Sequence, residues 1–377
     1  MNDHFDTIYQ LVMSSQLGHD MAMIKEDSPW HREDNVKEHT RMTLRWYDEN
    51  CKNSRSPRQI LLSKIALLFH DVGKPAARTE KFSEQRGVYY SYPGHELISA
   101  RLFLDFMLSK MDEITFLSTF DVITIAFIIE HHLPFDKKDN KKLQGLKNHI
   151  VNFLGADVLS MFYDVIRSDS HGRISDDAET KYNAVEQWIQ NFENIPSCPV
   201  YKSENSEIYP SLILLIGPSC CGKSTFASKL KTSIQEKNID VDIHNWDSLR
   251  MQFYSMAKNE QDVNYNDAFW HAVNNSEEFS NFEWQKFAEM VKAKKTIILD
   301  NTNTSAKSRR KFITICQQAG YYITAIEFLT TLDLLKACQE NRLDKKIDFS
   351  VSKKHFMSIS TPIVGLEVES LQYYSTL

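Results

Sequence analysis

The chain has 377 residues, of which 42% are hydrophobic and 25% charged, and its formal net charge is −6. This length exceeds what one hydrophobic core usually supports, so we expect two domains. The composition excludes a disordered chain, no apolar run is long enough to span a membrane, and the acidic balance argues against a generally basic nucleic-acid binder.

The first ten residues lack the basic and apolar regions of a secretory signal, and the six cysteines show no metal or disulfide spacing. We therefore expect a protein of the reducing cytoplasm, or of the host cytoplasm if a phage encodes it. The charge is unevenly distributed. From residue 211 onward 20 Lys and Arg residues accompany 19 Asp and Glu residues, leaving 24 against 31 upstream.

Apolar residues at helical spacing dominate the first half of the sequence. Segments 58–71, 96–111 and 119–132 all follow this repeat. Only "GVYYSYPG" (87–94) hints at an extended loop. The pattern predicts an all-helical domain over residues 1–195.

Histidine and aspartate side chains are spread along these predicted helices, away from any cysteine-rich frame. Such donors suit a divalent metal of the Mn²⁺, Co²⁺, Ni²⁺ or Zn²⁺ class, held by imidazole and carboxylate. A metal with open positions could activate water toward a phosphorus centre. Taken singly, each histidine would more often be a helix-surface or cap residue than a ligand. The candidate ligands are His39, His70, Asp71, His95, His131, His132 and Asp169.

Over about residues 28–180 this part of the chain resembles the HD-domain phosphohydrolases, an all-helical, metal-dependent superfamily. The segments "HDVGKP" and "GHELISA" match it closely. The H…HD…D signature of the superfamily corresponds to His39, His70, Asp71 and Asp169. The resemblance implies one ion or two, with Asp71 bridging them in a binuclear site and His95 and His131 or His132 as additional ligands. Candidates to contact substrate phosphate are Lys74 and Arg173.

Prolines, serines and polar residues at 196–209 predict a linker. After it the pattern alternates between strands and helices. "SLILLIG" is a continuous apolar run, as a strand buried on both faces requires, and "DVDIHNWD", "KTIILDNTN" and "YYITAIEFL" predict further strands. The alternation predicts a parallel sheet flanked by helices over residues 210–377. The tail from residue 350 matches no pattern.

Residues 217–224, "GPSCCGKS", satisfy the pattern G-x-x-x-x-G-K-[ST] between a predicted strand and a predicted helix. The two glycines let backbone N–H groups surround phosphate oxygens at a helix N-terminus. Lys223 would neutralise the β- and γ-phosphates of ATP or another NTP, and Ser224 would bind Mg²⁺. The predicted nucleotide-binding residues here are Gly217, Ser219, Cys221, Gly222, Lys223, Ser224 and Thr225.

Residues that would act on the phosphate acceptor lie after the neighbouring predicted strands, at the edge where ligands of open α/β sheets bind. Asp247 would take the proton of an attacking hydroxyl as general base, and Arg250 would grip a phosphate. Asp300 ends a strand at the Walker-B-like position, where a carboxylate helps to hold Mg²⁺. Arg342 and Lys346 lie four apart on one helix face, suited to a lid over the transferring phosphate.

Each of these residues also has a purely structural interpretation. Asp247 would equally cap a helix beside a solvated arginine, and Asp300 would equally form a turn. The two lid residues would equally lie on a charged helix surface. Arg309 and Arg310, in "KSRRK", are expected to solvate a helix start rather than to contact phosphate.

In this order, "GPSCCGKST", "NWDSLR" and "ILDNTNTSAKSRR" resemble the kinase domain of phage-type 5′-hydroxyl polynucleotide kinases over about residues 210–350. The resemblance implies that Asp247 is the general base on the 5′-hydroxyl and that Arg250 binds the phosphate next to the terminal nucleoside. The lid of that family carries two arginines. Arg342 matches the first, but Lys346 stands at the second, and a lysine lacks the bidentate fork.

The whole chain resembles the HD-domain polynucleotide kinase-phosphatases, which heal RNA or DNA ends for a separate ligase. The implied fold is a multidomain α and α/β chain: an HD domain (1–195), a linker (196–209) and a P-loop kinase domain (210–377). The implied activities are ATP-dependent phosphorylation of 5′-hydroxyl ends and removal of 3′-phosphate or 2′,3′-cyclic phosphate.

Two alternatives stand beside this interpretation. One is a small-molecule or nucleoside kinase fused to a nucleotide phosphohydrolase. The other is an ATP-dependent RNA-binding module with a degenerate hydrolase site, against which the intact signature residues weigh.

Overall fold

The computed structural model describes residues 2–25, 32–84, 87–133, 139–175, 178–197, 210–259, 261–342 and 347–376. The chain divides into two compact units, Met1–Val200 and Tyr201–Leu377. From residue 198 onward the predicted linker lies outside the described residues, as does Lys346 of the predicted lid. None of the described helices is both long and apolar enough to cross a bilayer.

The first unit is mostly helical. Its helices are α1 (Asn2–Met13), α2 (Gln16–Met23), α3 (Val36–Asn50), α4 (Pro57–Phe69), α5 (Lys74–Ala77), α6 (His95–Leu108), α7 (Thr119–Glu130), α8 (Asn140–His149), α9 (Val158–His171) and α10 (Ala178–Glu193). The three segments with helical spacing form α4, α6 and α7. Capping boxes at Ser56 and Ser118 begin α4 and α7, because each serine accepts a backbone N–H of the first turn.

Two of these helices form the centre of the unit. Every residue of α7 from Asp121 to Glu130 is buried, and α4 packs against α3, α7 and α9. A helix that is apolar on all sides is stable only where neighbours cover it completely. Since α4 ends at Phe69, the next two residues, His70 and Asp71, emerge from the middle of the helical core.

A β-hairpin interrupts the helices. β1 (Thr79–Ser83) pairs antiparallel with β2 (Gly87–Ser91), in the register that sets Phe82 opposite Val88. The prediction of an extended loop at 87–94 is therefore wrong for its first five residues, and the unit is not all-helical. Four of the five residues of β1 are exposed, so no buried face imposes an apolar alternation on its sequence.

The second unit is a five-stranded parallel sheet flanked by helices, which confirms the predicted fold class. Its strands are β3 (Ser211–Ile216), β4 (Val241–His244), β5 (Thr296–Leu299), β6 (Tyr322–Leu329) and β7 (Ser370–Ser375). Its helices are α11 (Lys223–Gln235), α12 (Trp246–Lys258), α13 (Tyr265–Asn274), α14 (Ser276–Lys292), α15 (Ala306–Gln318), α16 (Leu332–Glu340) and α17 (Phe349–Met357).

The strand order is β4-β5-β3-β6-β7, with parallel pairing throughout. The unassigned tail supplies the edge strand β7, whose sequence "SLQYYS" buries Leu371 alone and so carries little apolar signal. Because β3 lies between β5 and β6, the chain leaves β3 toward one side of the sheet and later returns on the other. Ligand sites of open α/β sheets lie at such a reversal, beyond the carboxyl ends of the strands.

Arg309 is fully buried, so its expected place at a solvated helix start is wrong. Its Nη1 donates to the carbonyls of Asn303 at 3.0 Å and Ser360 at 3.0 Å, and its Nη2 donates to Glu367 at 2.9 Å. A buried guanidinium is stable only when its donors find acceptors. The hydrogen bonds of Arg309 join the loop after β5 to the segment that leads into β7.

We expect Arg309→Met to lower the free energy of unfolding by about 3 kcal/mol, because it leaves buried carbonyls and a carboxylate without their donor. Arg310→Met, a change at the exposed neighbour, should alter it by no more than about 0.5 kcal/mol. Urea unfolding of the two variants measures the difference. Equal stabilities would contradict the structural role given to Arg309.

Candidate functional site in each unit

Six buried side chains meet inside the helical unit. They come from α3, the residues after α4 and α7, the start of α6, and the last turn of α9. Their potential ligand atoms form two groups, within each of which all atoms lie within 4.8 Å of one another. The first group is His39, His70 and Asp169, and the second is Asp71, His95 and His132.

The carboxylate of Asp71 contacts both groups. Its Oδ2 lies 3.2 Å from Nε2 of His70 and 3.5 Å from Nε2 of His39. Its Oδ1 lies 3.1 Å from Nε2 of His95. In the first group, Nε2 of His39 lies 3.1 Å from Oδ1 of Asp169. The two oxygens of Asp71 therefore point to different groups, as a ligand shared between two ions would.

Hydrogen bonds orient the imidazoles so that Nε2 faces the cluster. In His70, His95 and His132, Nδ1 lies 2.7–2.8 Å from the backbone carbonyl three residues earlier. In His39, Nδ1 lies 3.3 Å from the buried carboxylate of Glu33. Partners of this kind direct Nε2 toward a metal. Burial, reinforced by the charge of His70, lowers the pKa of His132 to about 3, so this imidazole is neutral near pH 7.

The cluster attracts positive charge. Burial opposes a charge on His70, but Asp71 and Asp169 outweigh burial and raise the pKa of His70 to about 10. Burial also opposes ionisation of both aspartates, yet His70 and Lys74 hold the pKa of Asp71 well below its usual value, and Arg173 does the same for Asp169. Two ionised carboxylates in a buried place stabilise any cation that enters, which is what a metal site requires.

The two residues predicted to contact substrate phosphate, Lys74 and Arg173, form ion pairs with two of the candidate metal ligands. Nζ of Lys74 is 2.8 Å from Oδ2 of Asp71, and Nη2 of Arg173 is 2.9 Å from Oδ1 of Asp169. These cations therefore border the cluster and also compensate its negative charge.

Of the two adjacent histidines after α7, only His132 joins the cluster. Its ring centroid lies 5.3 Å from that of His70 and 5.5 Å from that of His95. His131 instead packs its ring 4.4 Å from the ring of Phe127 and belongs to neither group. His131 and His132 are adjacent, but their side chains leave the backbone in different directions, and only the ring of His132 reaches the cluster. The prediction that His131 is a ligand has no support in this geometry.

The glycine of "HDVGKP" permits close helix packing. A Cβ atom on Gly73 would lie 2.5 Å from the carbonyl oxygen of His95 and 2.6 Å from the backbone N of Ser99. The backbone N–H of Gly73 instead donates to Oγ of Ser99 at 2.8 Å. This contact brings the residues after α4 against the start of α6, where His95 lies.

We expect His132→Ala to weaken divalent-metal binding at least about tenfold, because it removes a donor of the second group. His131→Ala should leave the affinity unchanged, because that ring faces Phe127. Calorimetric titration with Mn²⁺, together with the metal content of the purified variants, makes the comparison. Equal losses in the two variants would contradict the assignment of His132.

In the second unit, the segment 217–224 comprises the loop after β3 and the first two residues of α11, and its glycines serve two different needs. Gly222 has a φ of +88°, a left-handed conformation that a side chain would strain. At Gly217 a Cβ atom would lie 2.8 Å from Sγ of Cys221 and 3.1 Å from Cβ of Phe328, so there the constraint is space. Both explain why the loop can curl tightly at the end of the strand.

A cavity of about 910 Å³ opens beside this loop, a size typical of ligand pockets. The predicted residues that line it are Ser219, Gly222, Lys223, Ser224, Thr225, Asp247, Arg250, Asp300 and Arg342. Gly217 and Cys221 are not among its lining residues. The side chain of Cys221 packs instead into the hydrophobic core of the unit, and Gly217 lies against it.

The cation of Lys223 lies along its own loop. Its Nζ donates to the carbonyls of Gly217 at 3.0 Å and Pro218 at 2.6 Å, and lies 3.7 Å from Sγ of Cys221. The positive charge of Lys223 therefore lies at the C-terminal end of β3, where a phosphate would bind.

Asp247 lies in the first turn of α12, and its carboxylate is held by two donors. Asn245, not Asp247, is the N-cap, because its side chain accepts the backbone N–H of Ser248. Nη1 of Arg250 and the hydroxyl of Tyr265 both donate to Oδ1 of Asp247, each at 2.8 Å. Tyr265, which the sequence pattern did not single out, is therefore a contact of the predicted general base.

Asp300 is buried directly after β5 and accepts hydrogen bonds from Asn245, the residue that follows β4. Nδ2 of Asn245 donates to the carbonyl and to Oδ2 of Asp300, both at 2.8 Å. The next residue, Asn301, accepts the backbone N–H of Trp246 at 3.0 Å. These bonds place the start of α12 beside the loop after β5, so Asp247 and Asp300 line one cavity.

Two residues from the C-terminal part of the unit approach the phosphate loop. Arg342 lies two residues after the end of α16, so the prediction that it lies on a helix face is wrong, whereas His355 lies in α17. Nη1 of Arg342 lies 3.8 Å from Sγ of Cys220, which supports a position over the loop. Nδ1 of His355 lies 3.2 Å from Oγ of Ser219. No motif marks His355, since it falls in the tail that matches no pattern.

Comparison with known proteins supports a nucleotide-binding assignment for this unit. A family model described as an AAA domain matches residues 212–361. Together with the parallel sheet and the loop 217–224, the match defines a P-loop, kinase-like domain. No curated protein shows significant similarity to the chain.

Among the solved structures that are similar to part of the chain is a gluconokinase from Sinorhizobium meliloti 1021. It is 11% identical, and the match covers 45% of this chain and 83% of the gluconokinase, with a TM-score of 0.28. Similarity at this level carries no information about the substrate.

Proposed function

We propose that the chain heals broken RNA or DNA ends with two activities. The P-loop domain (210–377) would phosphorylate 5′-hydroxyl ends with ATP, and the helical domain (1–195) would remove a 3′-phosphate or 2′,3′-cyclic phosphate, leaving ends that a separate ligase can join. The observation that carries the kinase half is the presence of Asp247 in the same cavity as the phosphate-binding loop.

In the proposed kinase reaction, Asp247 accepts the proton of the 5′-hydroxyl group. The hydroxyl oxygen forms a bond to the γ-phosphorus of ATP as the bond between that phosphorus and ADP breaks. The hydrogen bonds from Arg250 and Tyr265 fix the orientation of this carboxylate before the substrate arrives. Arg250 would then also meet the phosphate that follows the terminal nucleoside. Preorganised contacts of this kind reduce the cost of reaching the reactive geometry.

The phosphates of ATP would be bound by the loop and by cations. Lys223 would exchange the carbonyls of its own loop for the β- and γ-phosphates, and Arg342, with Lys346 beyond the described residues, would cover them. Ser224 and Asp300 are oxygen donors in this cavity and suit Mg²⁺, which when bound neutralises the charge of the phosphates.

The hydrolase half rests on the two ligand groups of the helical unit. Their imidazole and carboxylate donors fit one or two ions of the Mn²⁺, Co²⁺, Ni²⁺ or Zn²⁺ class. Asp71 belongs to the second group, and its Oδ2 also contacts His70 and His39 of the first. When bound, such ions supply Lewis-acid activation of phosphate and water. Lys74 and Arg173, at the edge of the cluster, would orient the phosphate oxygens of the substrate.

We expect Asp247→Asn to lower the rate of phosphate transfer between about 100-fold and 10,000-fold, because the amide cannot accept the proton. The measurement is transfer of labelled γ-phosphate from ATP to a 5′-hydroxyl oligonucleotide. Asp262→Asn, at an exposed position before α13, should keep the full rate. If the wild-type protein labels a free nucleoside as well as it labels an oligonucleotide, the small-molecule kinase is the better description.

We expect Asp71→Asn to abolish metal-dependent release of phosphate from a 3′-phosphorylated oligonucleotide and to spare the kinase. Asp247→Asn should do the opposite, so each variant is the control for the other. Loss of both activities in one correctly folded variant would contradict two separate sites. If Asp71→Asn still releases phosphate, the cluster is not the site of the hydrolase activity.

A further inference from the structure

Aromatic side chains form one side of the nucleotide cavity. The residues concerned come from α12 and α13: Trp246, Tyr265, Phe269 and Trp270. Trp270 is 60% exposed and Trp246 is 37% exposed. A large apolar ring left in contact with water inside a cavity costs free energy, and it marks a surface that a ligand covers.

Two hydrogen bonds fix the position of Trp246. Its Nε1 donates to Oε1 of Glu283 at 2.5 Å, and its backbone N–H donates to the side chain of Asn301 at 3.0 Å. Glu283 is itself buried and lies 3.4 Å from Nε2 of His244. Since the ring is oriented before any ligand arrives, a ligand that stacks on it loses little conformational entropy.

A cation lies beside these rings. The guanidinium carbon of Arg250 is 5.1 Å from the ring centroid of Phe269 and 5.6 Å from that of Trp246. Stacking surfaces next to a phosphate-binding cation are the combination that single-stranded nucleic acids require, because each nucleotide offers a flat base and a negative charge. A sugar or another small polyol offers no aromatic face to match.

We propose that Trp246 and Trp270 form a stacking platform for unpaired bases at the 5′ end of a polynucleotide, with Glu283 as the residue that positions Trp246. The inference rests on the proposed function and narrows it. The rings would hold the first bases of the 5′-hydroxyl strand by stacking, so removing either the rings or the bases should weaken binding.

The first test uses binding without nucleotide, measured by fluorescence anisotropy of a 5′-hydroxyl oligonucleotide labelled at its 3′ end. Trp270→Ala should raise Kd about tenfold, and Trp270→Phe, which keeps a stacking face, should raise it much less. Met256→Ala is the matched control, because Met256 is a 71% exposed apolar residue of α12 that does not line the cavity. An unchanged Kd in Trp270→Ala overturns the platform.

The second test removes the other partner of the stack. Abasic residues in place of the first two nucleotides should weaken binding about tenfold to the wild-type protein, but little to Trp270→Ala. An equal loss in both proteins would mean that the bases do not stack on Trp270.

A test of the positioning role of Glu283 must distinguish a specific loss of oligonucleotide binding from a general loss of stability. Glu283→Ala should weaken oligonucleotide binding several-fold while the Kd for ATP stays constant, and Glu283→Gln, which keeps an acceptor for the indole N–H, should restore it. Parallel losses of ATP and oligonucleotide binding in Glu283→Ala would instead indicate a structural role and overturn the positioning assignment.

Failure of the platform is distinguishable from failure of the kinase. If the wild-type protein phosphorylates oligonucleotides and Trp270→Ala binds and phosphorylates them equally well, the proposed function stands and the platform is lost. A wild-type protein that neither binds nor phosphorylates any 5′-hydroxyl strand loses both.

Discussion

The cavity of the second unit depends on three parallel strands ending at one edge. The pairing sets Leu214 of β3 and His244 of β4 in register with Leu299 of β5. The loops that follow these strands therefore emerge side by side, and the bonds from Asn245 to Asp300 join two of them. The phosphate loop and Asp247 share a cavity because strand register brings them together, although about 25 residues separate them in sequence.

The cluster of the first unit depends on helix packing in the same way. Its six side chains span residues 39–169 and converge because α4 from Leu61 onward and α7 from Asp121 onward are almost completely buried, so their C-terminal ends lie inside the core. Buried carboxylates are costly unless cations accompany them. Lys74, Arg173 and His70 meet that need here, and a metal bound by the same donors would add its binding free energy to the stability of the fold.

Local patterns were sufficient for much of this architecture. Buried parallel strands require unbroken apolar runs, and central helices require apolar residues at helical spacing, so β3 to β6 and α4, α6 and α7 could all be predicted. The hairpin and β7 could not, because these strands lie at edges or in solvent, where no apolar alternation is imposed on the sequence. Arg309 was misjudged for a related reason: its acceptors include residues about 50 positions away.

The sequence by itself determined which chemical groups the chain possesses and on which elements they lie, because motifs such as GPSCCGKS and HD are local and their spacing is set by helix and strand geometry. Tertiary structure alone decided which groups meet. It selected His132 over His131, placed Lys74 on Asp71 and Tyr265 on Asp247, and pinned the indole of Trp246 to Glu283. Such contacts depend on the direction of each side chain around its helix and on packing between distant segments, and neither leaves a periodic trace in the sequence.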